Sequence, residues 1–458
     1  MFKELNSIWN KQSLSLALGQ NITEDIYGGK LQINSKDVEY GDIFIALKGQ
    51  NTDGHLYVKN ALENGAAAAI VNRSIDNVDA SKLIIVKNPL EAIRSLAMYK
   101  RTNSKAKFIG ITGSVGKTSL KEAFRCAFSP CGKTFAGRGN FNNELGMLVN
   151  LASMPDDLEY AVFELGMNRY HEIGVLTHIL KPDLAIINNV YNTHLVNFGD
   201  VMHIMQSKAE IMEGLNYKKG IIILPKDNKY YPNLMIISKA LNLHNVYDFS
   251  EKTNASAFLA KDSDDEMIVN VLGQDVGVKK NNLPHHHLCN FIPLLLSVEL
   301  LKCDMQKAII GLNDYKIYPG RGNLIEASKG DAKFSIIDDS YNSSPASLEA
   351  AIKNFQLVRA GRKVIVIGDM LELGETEASE HIKFASILND TNIDLVVTYG
   401  NLASAMCPHL TKPYKSYEDI ETLQTELYDS IKNQDVFLIK ASKSTGLSKV
   451  ISFLTQQV

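Results

Sequence analysis

Cysteine is scarce in this chain: five in 458 residues, at positions 126, 131, 289, 303 and 407. The number is odd and no C-x-x-C pair occurs, which argues against a disulfide framework or a structural zinc cluster and for free, buried thiols in a reducing compartment. There is a single tryptophan. The N-terminus has no basic stretch leading into an apolar core and a small-residue cleavage site, so no secretory signal is read there. Long apolar runs are also missing. The longest, residues 291–301, contains Glu299 and is far too short to cross a bilayer. These absences predict a soluble, cytoplasmic protein with no membrane span. A net charge of −3 offers no general attraction to nucleic acid or an anionic membrane. Any anionic substrate must then be held by local basic groups. No internal repeat or low-complexity tract is present.

What is there is an ordinary globular composition, 45% hydrophobic and 22% charged. At ~150 residues per domain the length predicts about three domains. Residues 1–104 mix short strands (43–47, 67–71), Gly-Asp turns and a helix over 57–64, and read as a small α/β domain in its own right. Over 105–315, apolar strands at 108–111, 161–164, 184–188 and 221–224 alternate with helices beginning near Thr118, Asn143 and Val201. That alternation predicts a parallel sheet covered on both faces. Residues 252–280 read as polar and irregular, followed by a helix over 288–301. From 316 to 458 a further set of strands (335–338, 364–367, 395–399, 436–440) predicts a Rossmann-like third domain.

The most informative segment follows the strand 108–111. The run Thr112-Gly113-Ser114-Val115-Gly116-Lys117-Thr118 leaves that strand and enters a helical pattern. Its glycines let successive N–H groups face phosphate oxygens, Lys117 reaches the outer phosphates, and the Thr118 hydroxyl can hold Mg²⁺. The strict G-x-x-x-x-G-K-[ST] spacing is absent, since Ile111 stands where its first glycine belongs. Strand, loop and helix nevertheless come in the required order, and a nucleoside triphosphate site is expected.

Sites in open parallel sheets lie beyond the carboxyl ends of the strands. Glu164 closes one strand and His194 follows another, so both are candidates beside the triphosphate and its metal. Glu164 can equally be a solvated strand end, and His194 a structural histidine. Lys208 lies on an amphipathic pattern and by pattern alone reads as solvated. The triplet His285-His286-His287 cannot all ligate one ion, because neighbours on one element point in different directions. It reads as non-metallic, with one histidine near the nucleotide. Residues 338–345, Asp338-Asp339-Ser340-Tyr341-Asn342-Ser343-Ser344-Pro345, suit turn and N-cap chemistry or contact with a ribose or peptide. Arg321, between Gly320 and Gly322, is placed to swing towards a phosphate.

Taken together, these segments resemble the Mur ligases of peptidoglycan synthesis, and within them the MurF type, nearly end to end. Residues 41–49 (GDIFIALKG) followed by Asp53-Gly54-His55 resemble the family's UDP-sugar segment, and the 112–118 loop has the family's own glycine spacing. Residues 139–146 (GNFNNELG) are similar to its asparagine segment, Glu164-Leu165-Gly166-Met167 to its metal-binding glutamate, Asn192-Thr193-His194 to its histidine motif, and Lys208-Ala209-Glu210-Ile211 to its carbamylated lysine. Residues 338–345 and 368–374 (GDMLELG) are the most MurF-like.

The resemblance implies an ATP-dependent ligase of three α/β domains that joins D-alanyl-D-alanine to a UDP-N-acetylmuramoyl-tripeptide (UDP-MurNAc-tripeptide) through an acyl phosphate. It implies catalytic roles for Lys117, Lys208 and His194. ATP contacts are implied for residues 112–118, His286, Arg321 and Asp339. Two Mg²⁺ ions are implied on Thr118, Glu164, His194 and carbamylated Lys208. UDP-sugar contacts would come from Ser35, Asp53, Gly54 and His55, and further substrate or phosphate contacts from Asn143 and Asn342. The third domain is expected to close over ATP on a hinge near residues 314–322. A monomer with small-molecule substrates and no nucleic-acid partner is expected.

Overall fold

Short apolar strands flanked by helices build three main sheets and one small ribbon. The computed structural model describes residues 7–49, 52–139, 141–193 and 195–456. In the first domain four parallel strands run in the order Leu31–Gln32, Ile43–Ile45, Ala68–Val71, Leu83–Ile85. The ribbon pairs Trp9–Asn10 with Tyr27–Gly28. One face of the four-stranded sheet covers a small core around Phe44, Val58 and Val71.

The other face does not close on itself. Ile43, Ile45 and Ile70 join Trp9, Ile93 and Leu96 in a cluster continuous with Met147, Leu151 and Phe163 of the second domain. Polar ties cross the same seam. Trp9 Nε1 donates to Ala152 O at 2.7 Å, the Leu31 amide to Ser153 Oγ at 3.0 Å, and Lys100 Nζ to Asp156 Oδ1 at 2.5 Å. The sequence predicts a self-contained first domain. Its helix Pro89–Asn103 instead packs on the second domain's Glu144–Ala152, because the apolar stripe of each helix finds cover in the other.

The second domain is a nine-stranded sheet. Seven strands are parallel, in the order Thr134–Ala136, Tyr160–Glu164, Lys107–Thr112, Leu184–Ile187, Ile221–Pro225, Asn245–Ser250, Ala257–Asp262. The last continues antiparallel into Glu266–Val271 and Gln274–Lys279. This three-strand extension occupies the stretch that reads as irregular. Only alternate residues such as Met267, Val269, Val271 and Val278 are buried, beneath the helix Phe291–Leu300, and the other face is at most partly covered.

The third domain has six strands in the order Asn323–Lys329, Ala332–Asp339, Asp435–Lys440, Arg362–Gly368, Leu395–Tyr399, Tyr414–Tyr417. The first pair is antiparallel and the rest parallel, with a separate apolar core on each face. This is the Rossmann-like architecture the pattern predicts. All five cysteines are unpaired. No helix among the described residues is long and apolar enough to cross a membrane.

Candidate functional site

The strand Lys107–Thr112 ends in the middle of its sheet, and the chain turns through residues 113–116 into the helix Lys117–Phe128. Gly116 is the N-cap and takes φ +79°, and a Cβ there would meet Asn188 Nδ2 at 2.9 Å. Both the backbone twist and the space therefore demand glycine. The loop is clasped from the neighbouring strand end. Asn189 Oδ1 accepts from the Ser114 and Val115 amides, each at 2.9 Å, while its Nδ2 donates to Val115 O at 3.0 Å. Ser114 Oγ donates to Tyr191 O at 3.1 Å and accepts from the Tyr191 amide at 2.9 Å. Thr112 ties the loop to the next strand through Leu165 O at 2.9 Å.

Lys117 Nζ donates to Gly113 O at 2.7 Å and, more weakly, to Ser114 O at 3.4 Å. Thr118 Oγ1 donates to Glu164 Oε2 at 2.8 Å, and Asn142 Nδ2 donates to the other carboxylate oxygen at 2.7 Å. From the third domain, Arg321 Nη2 reaches Thr118 Oγ1 at 3.4 Å, its guanidinium lying 3.8 Å above the Tyr341 ring. Loss of solvation lowers the Lys117 ammonium pKa and the Arg321 charge adds to that, with Glu164 opposing both.

Lys208 is 2% exposed, on the inner side of the helix Val201–Ala209, and forms no hydrogen bond or ion pair with a described residue. Burial holds its pKa well below the usual lysine range, and Lys117 pushes it the same way. The pattern reading of Lys208 as a solvated lysine is therefore overturned: the helix is exposed only along Met202 and Gln206, and nothing local marks Lys208 as lying on its covered side. A buried amine held towards its free base is a nucleophile rather than a fixed cation.

The oxygen donors fit Mg²⁺. Thr118 Oγ1 and Glu164 Oε2 converge within hydrogen-bond distance, and a hydroxyl plus a carboxylate is the sparse, hard ligand set that this ion takes beside phosphate. His194 lies outside the described residues. Asn143 is the N-cap of Glu144–Ala152, its Oδ1 accepting from the Gly146 amide at 2.9 Å; the residue touching Glu164 is its neighbour Asn142. Sequence reasoning did not single out Asn142, Asn188 or Asn189, whose partners lie far away along the chain.

On the third-domain side, Lys440 Nζ donates to Asp339 Oδ2 at 2.7 Å and to Asn342 O at 3.0 Å. Burial raises the Asp339 carboxyl pKa while Lys440 pulls it down. Asp338 receives the Gly320 amide at 3.0 Å, and Asn323 Oδ1 accepts from that amide at 2.8 Å. The Gly320–Gly322 turn is thus fastened to the third domain's sheet. His286 Nδ1 lies 2.8 Å from Asn354 Nδ2, and His287 bridges Tyr315 OH (2.8 Å) and Arg321 O (3.0 Å). Burial lowers the His287 pKa to about 4.

The first-domain candidates form a separate group. Asp53 Oδ1 accepts from the His55 amide at 3.0 Å and lies 2.6 Å from His55 Nδ1, while Oδ2 takes Arg73 at 3.0 Å. These bonds, the His55 amide first, hold the Asp53 carboxyl well below the usual carboxylate range. His55 Nε2 accepts the Asn72 amide at 3.2 Å, which places the neutral ring's proton on Nδ1. A Cβ on Gly54 would meet Leu47 N at 2.7 Å, so only glycine lets the two segments touch. Ser35 is buried, and its carbonyl accepts from Asn64 Nδ2 at 2.9 Å. Arg138, on the strand-to-helix connection of the second domain, reaches Leu31 O at 3.0 Å and ties that connection to the first-domain strand Leu31–Gln32.

Comparison with known proteins follows the same division. Residues 30–101 match the family model for the Mur ligase family catalytic domain, 111–296 the Mur ligase middle domain, and 320–443 the Mur ligase glutamate ligase domain. The UDP-N-acetylmuramoyl-tripeptide–D-alanyl-D-alanine ligase of Rickettsia prowazekii is 39% identical over 97% of this chain and 99% of its own length. The enzyme of the same name from Escherichia coli is 29% identical, covering 97% of this chain and 99% of its own. Among solved structures, MurF of Acinetobacter baumannii superposes with a TM-score of 0.82 at 28% identity, covering 98% of this chain and 99% of its own. MurF of Thermotoga maritima in complex with ADP gives 0.76 at 28%, covering 95% and 99%. Similarity that runs through every domain of both partners leaves one conclusion: the chain belongs to the Mur ligase family.

Proposed function

We propose that the protein is the ATP-dependent ligase that joins D-alanyl-D-alanine to UDP-N-acetylmuramoyl-tripeptide in cytoplasmic peptidoglycan precursor synthesis. The observation that carries this reading is the convergence of Lys117 and Arg321 on a phosphate loop where Glu164, bonded to Thr118, is the facing carboxylate. Such an excess of basic groups is satisfied when a polyanion enters. Residues 105–315 would hold ATP, 1–104 the UDP-sugar, and 316–458 the dipeptide, with the protein working as a monomer on small molecules.

A carboxylate does not acylate an amine, because oxide is an impossible leaving group. The tripeptide's terminal carboxylate oxygen attacks the γ-phosphorus of ATP, the bond to the β,γ-bridging oxygen breaks, and ADP departs. The dipeptide amine, as the free base, then attacks the acyl carbon. The C–O bond to phosphate breaks, inorganic phosphate leaves, and the amine's proton passes to solvent or phosphate. Lys117 and the Gly116 amide, at the start of the helix, bind and orient the phosphates, and Arg321 adds charge from the third domain. Thr118 and Glu164 would hold Mg²⁺, which would supply positive charge to offset that of the phosphates during transfer. Lys208 would add CO₂, its nitrogen bonding to carbon as one C=O π bond opens onto oxygen and the N–H proton passes to solvent, to become a carbamate anion that with His194 would hold a second ion. Closure of the third domain excludes water from the acyl phosphate.

The test is a ligation assay that supplies UDP-MurNAc-tripeptides with different third residues, together with D-alanyl-D-alanine or single amino acids, and follows ADP and product. ADP release that requires both the tripeptide and the dipeptide is expected. ATP hydrolysis indifferent to both would sink the reading and favour a nucleotide-driven switch.

A further inference from the structure

Among the described residues, Glu251, His285 and Cys289 form a mixed group whose candidate ligand atoms all lie within 4.8 Å of one another. None of them is bonded to the Thr118–Glu164 pair or has a part in the ligation chemistry described above. His285 opens a short helix and Cys289 lies four residues on, so both project from the same face. Glu251 follows the strand Asn245–Ser250, and its amide is anchored to Asp227 Oδ2 at 2.6 Å. His285 Nε2 already lies 3.2 Å from Glu251 Oε2. On the ring's other side Asp262 Oδ2 is 3.9 Å from Nδ1, where a ligating histidine customarily meets a carboxylate.

We propose that Glu251, His285 and Cys289 form a second metal site, for a borderline divalent cation of the zinc and cobalt type. One imidazole nitrogen, one sulfur and one carboxylate oxygen make a three-ligand set that leaves a fourth, tetrahedral position for water. The same set rejects Mg²⁺, which demands oxygen. Tetrahedral binding puts donor atoms about 3.4–3.6 Å apart, so rotamer adjustment of these partly exposed side chains suffices. Cys289 binds as the thiolate and its proton goes to solvent. Only the first histidine of the 285–287 triplet takes part, which respects the rule that three adjacent side chains cannot share one ion.

The location gives the site a consequence. The helix that carries His285 and Cys289 also carries His286, against Asn354, and His287, against the Arg321 carbonyl. An ion fastening that helix to the strand end at Glu251 stiffens the part of the second domain that holds the third. Occupancy is therefore expected to slow turnover by restraining closure.

The purified full-length chain, freed of metal and reduced, is titrated with Co²⁺ in the presence of excess Mg²⁺. One equivalent with a thiolate-to-cobalt charge-transfer band is expected, with Zn²⁺ displacing it. Cys289→Ser should abolish the band, and His285→Asn should weaken binding by at least about tenfold, while Cys126→Ser and Cys407→Ser leave both intact. Should Cys289→Ser fold poorly, the partly exposed His285→Asn variant carries the test alone. Zn²⁺ is expected to slow ligation by the wild type and not by the Cys289→Ser variant. No thiolate band in the wild type, or a band that survives in both the Cys289→Ser and His285→Asn variants, overturns the proposal.

Discussion

Lys117 serves its own loop as well as a ligand, since its ammonium is spent on the Gly113 and Ser114 carbonyls. Lys117→Ala removes the positive charge from the loop while leaving the first-domain network of Asp53, Arg73 and His55 untouched. ADP formation should fall by at least about 10²-fold, with UDP-substrate binding, measured by calorimetry, changed little. His381 offers a pH test far from the nucleotide. It is fully buried, accepts the Met370 amide on Nε2 at 2.9 Å, and lies with Nδ1 2.7 Å from Glu377 O, an arrangement that fits the neutral ring. Burial lowers its pKa from 6.5. The unfolded chain then binds the proton more readily, so this contribution is complete above pH 6.5 and is lost as pH falls below it, by at most about 1.4 kcal/mol per pH unit. Urea midpoints should drop on acidification, and His381→Gln, which cannot titrate, should show a shallower slope. At this scale the phosphate loop was legible because strand, glycines, lysine and helix are contiguous. Lys208 was not, since its burial depends on what covers the helix. Nor was Asn189, whose bond to Ser114 spans 75 residues.

Elements show where close contact constrains composition. The helix Met305–Leu312 crosses the phosphate-loop helix so tightly that a Cβ on Gly311 would sit 2.2 Å from Cys126 O, a backbone atom with no room to yield. Gly311→Ala should force the helices apart and cost about 1–3 kcal/mol, read from chemical unfolding. In the third domain Arg362 forks onto Asp435, Nε at 3.0 Å and Nη2 at 2.5 Å, and the Asp435 side chain is wholly buried. Arg362→Met leaves that carboxylate without a counter-charge, with only the Lys432 amide donating to it at 2.7 Å, and should destabilise the domain by about 3–5 kcal/mol. The fully buried strands announced themselves as apolar runs: residues 395–399 were read to the residue. The 257–279 extension was missed because its strands are half solvated and its burial alternates, a pattern that a short polar stretch disguises as loop.

At the level of the whole molecule, apolar cores divide the chain differently from its sheets. The first and second domains share one core, whereas the third keeps two of its own. Residues 1–104 expressed alone should therefore fail to fold cooperatively, since Trp9, Ile93 and Leu96 would lose their cover, while residues 316–458 should fold alone. Circular dichroism and thermal melts of the two fragments decide this. A cooperative melt from the first fragment would refute the shared core. The three-domain plan was visible in the spacing of strands, but the welding of two of them was not, because nothing local marks which face of a sheet another domain covers. The lone tryptophan sits at that weld, with Lys100 Nζ 4.7 Å from its ring centroid. The molecule thus carries its own optical gauge: tryptophan emission follows the seam between the first two domains and is silent about the third, so a change in fluorescence on adding a ligand says at once which joint has moved.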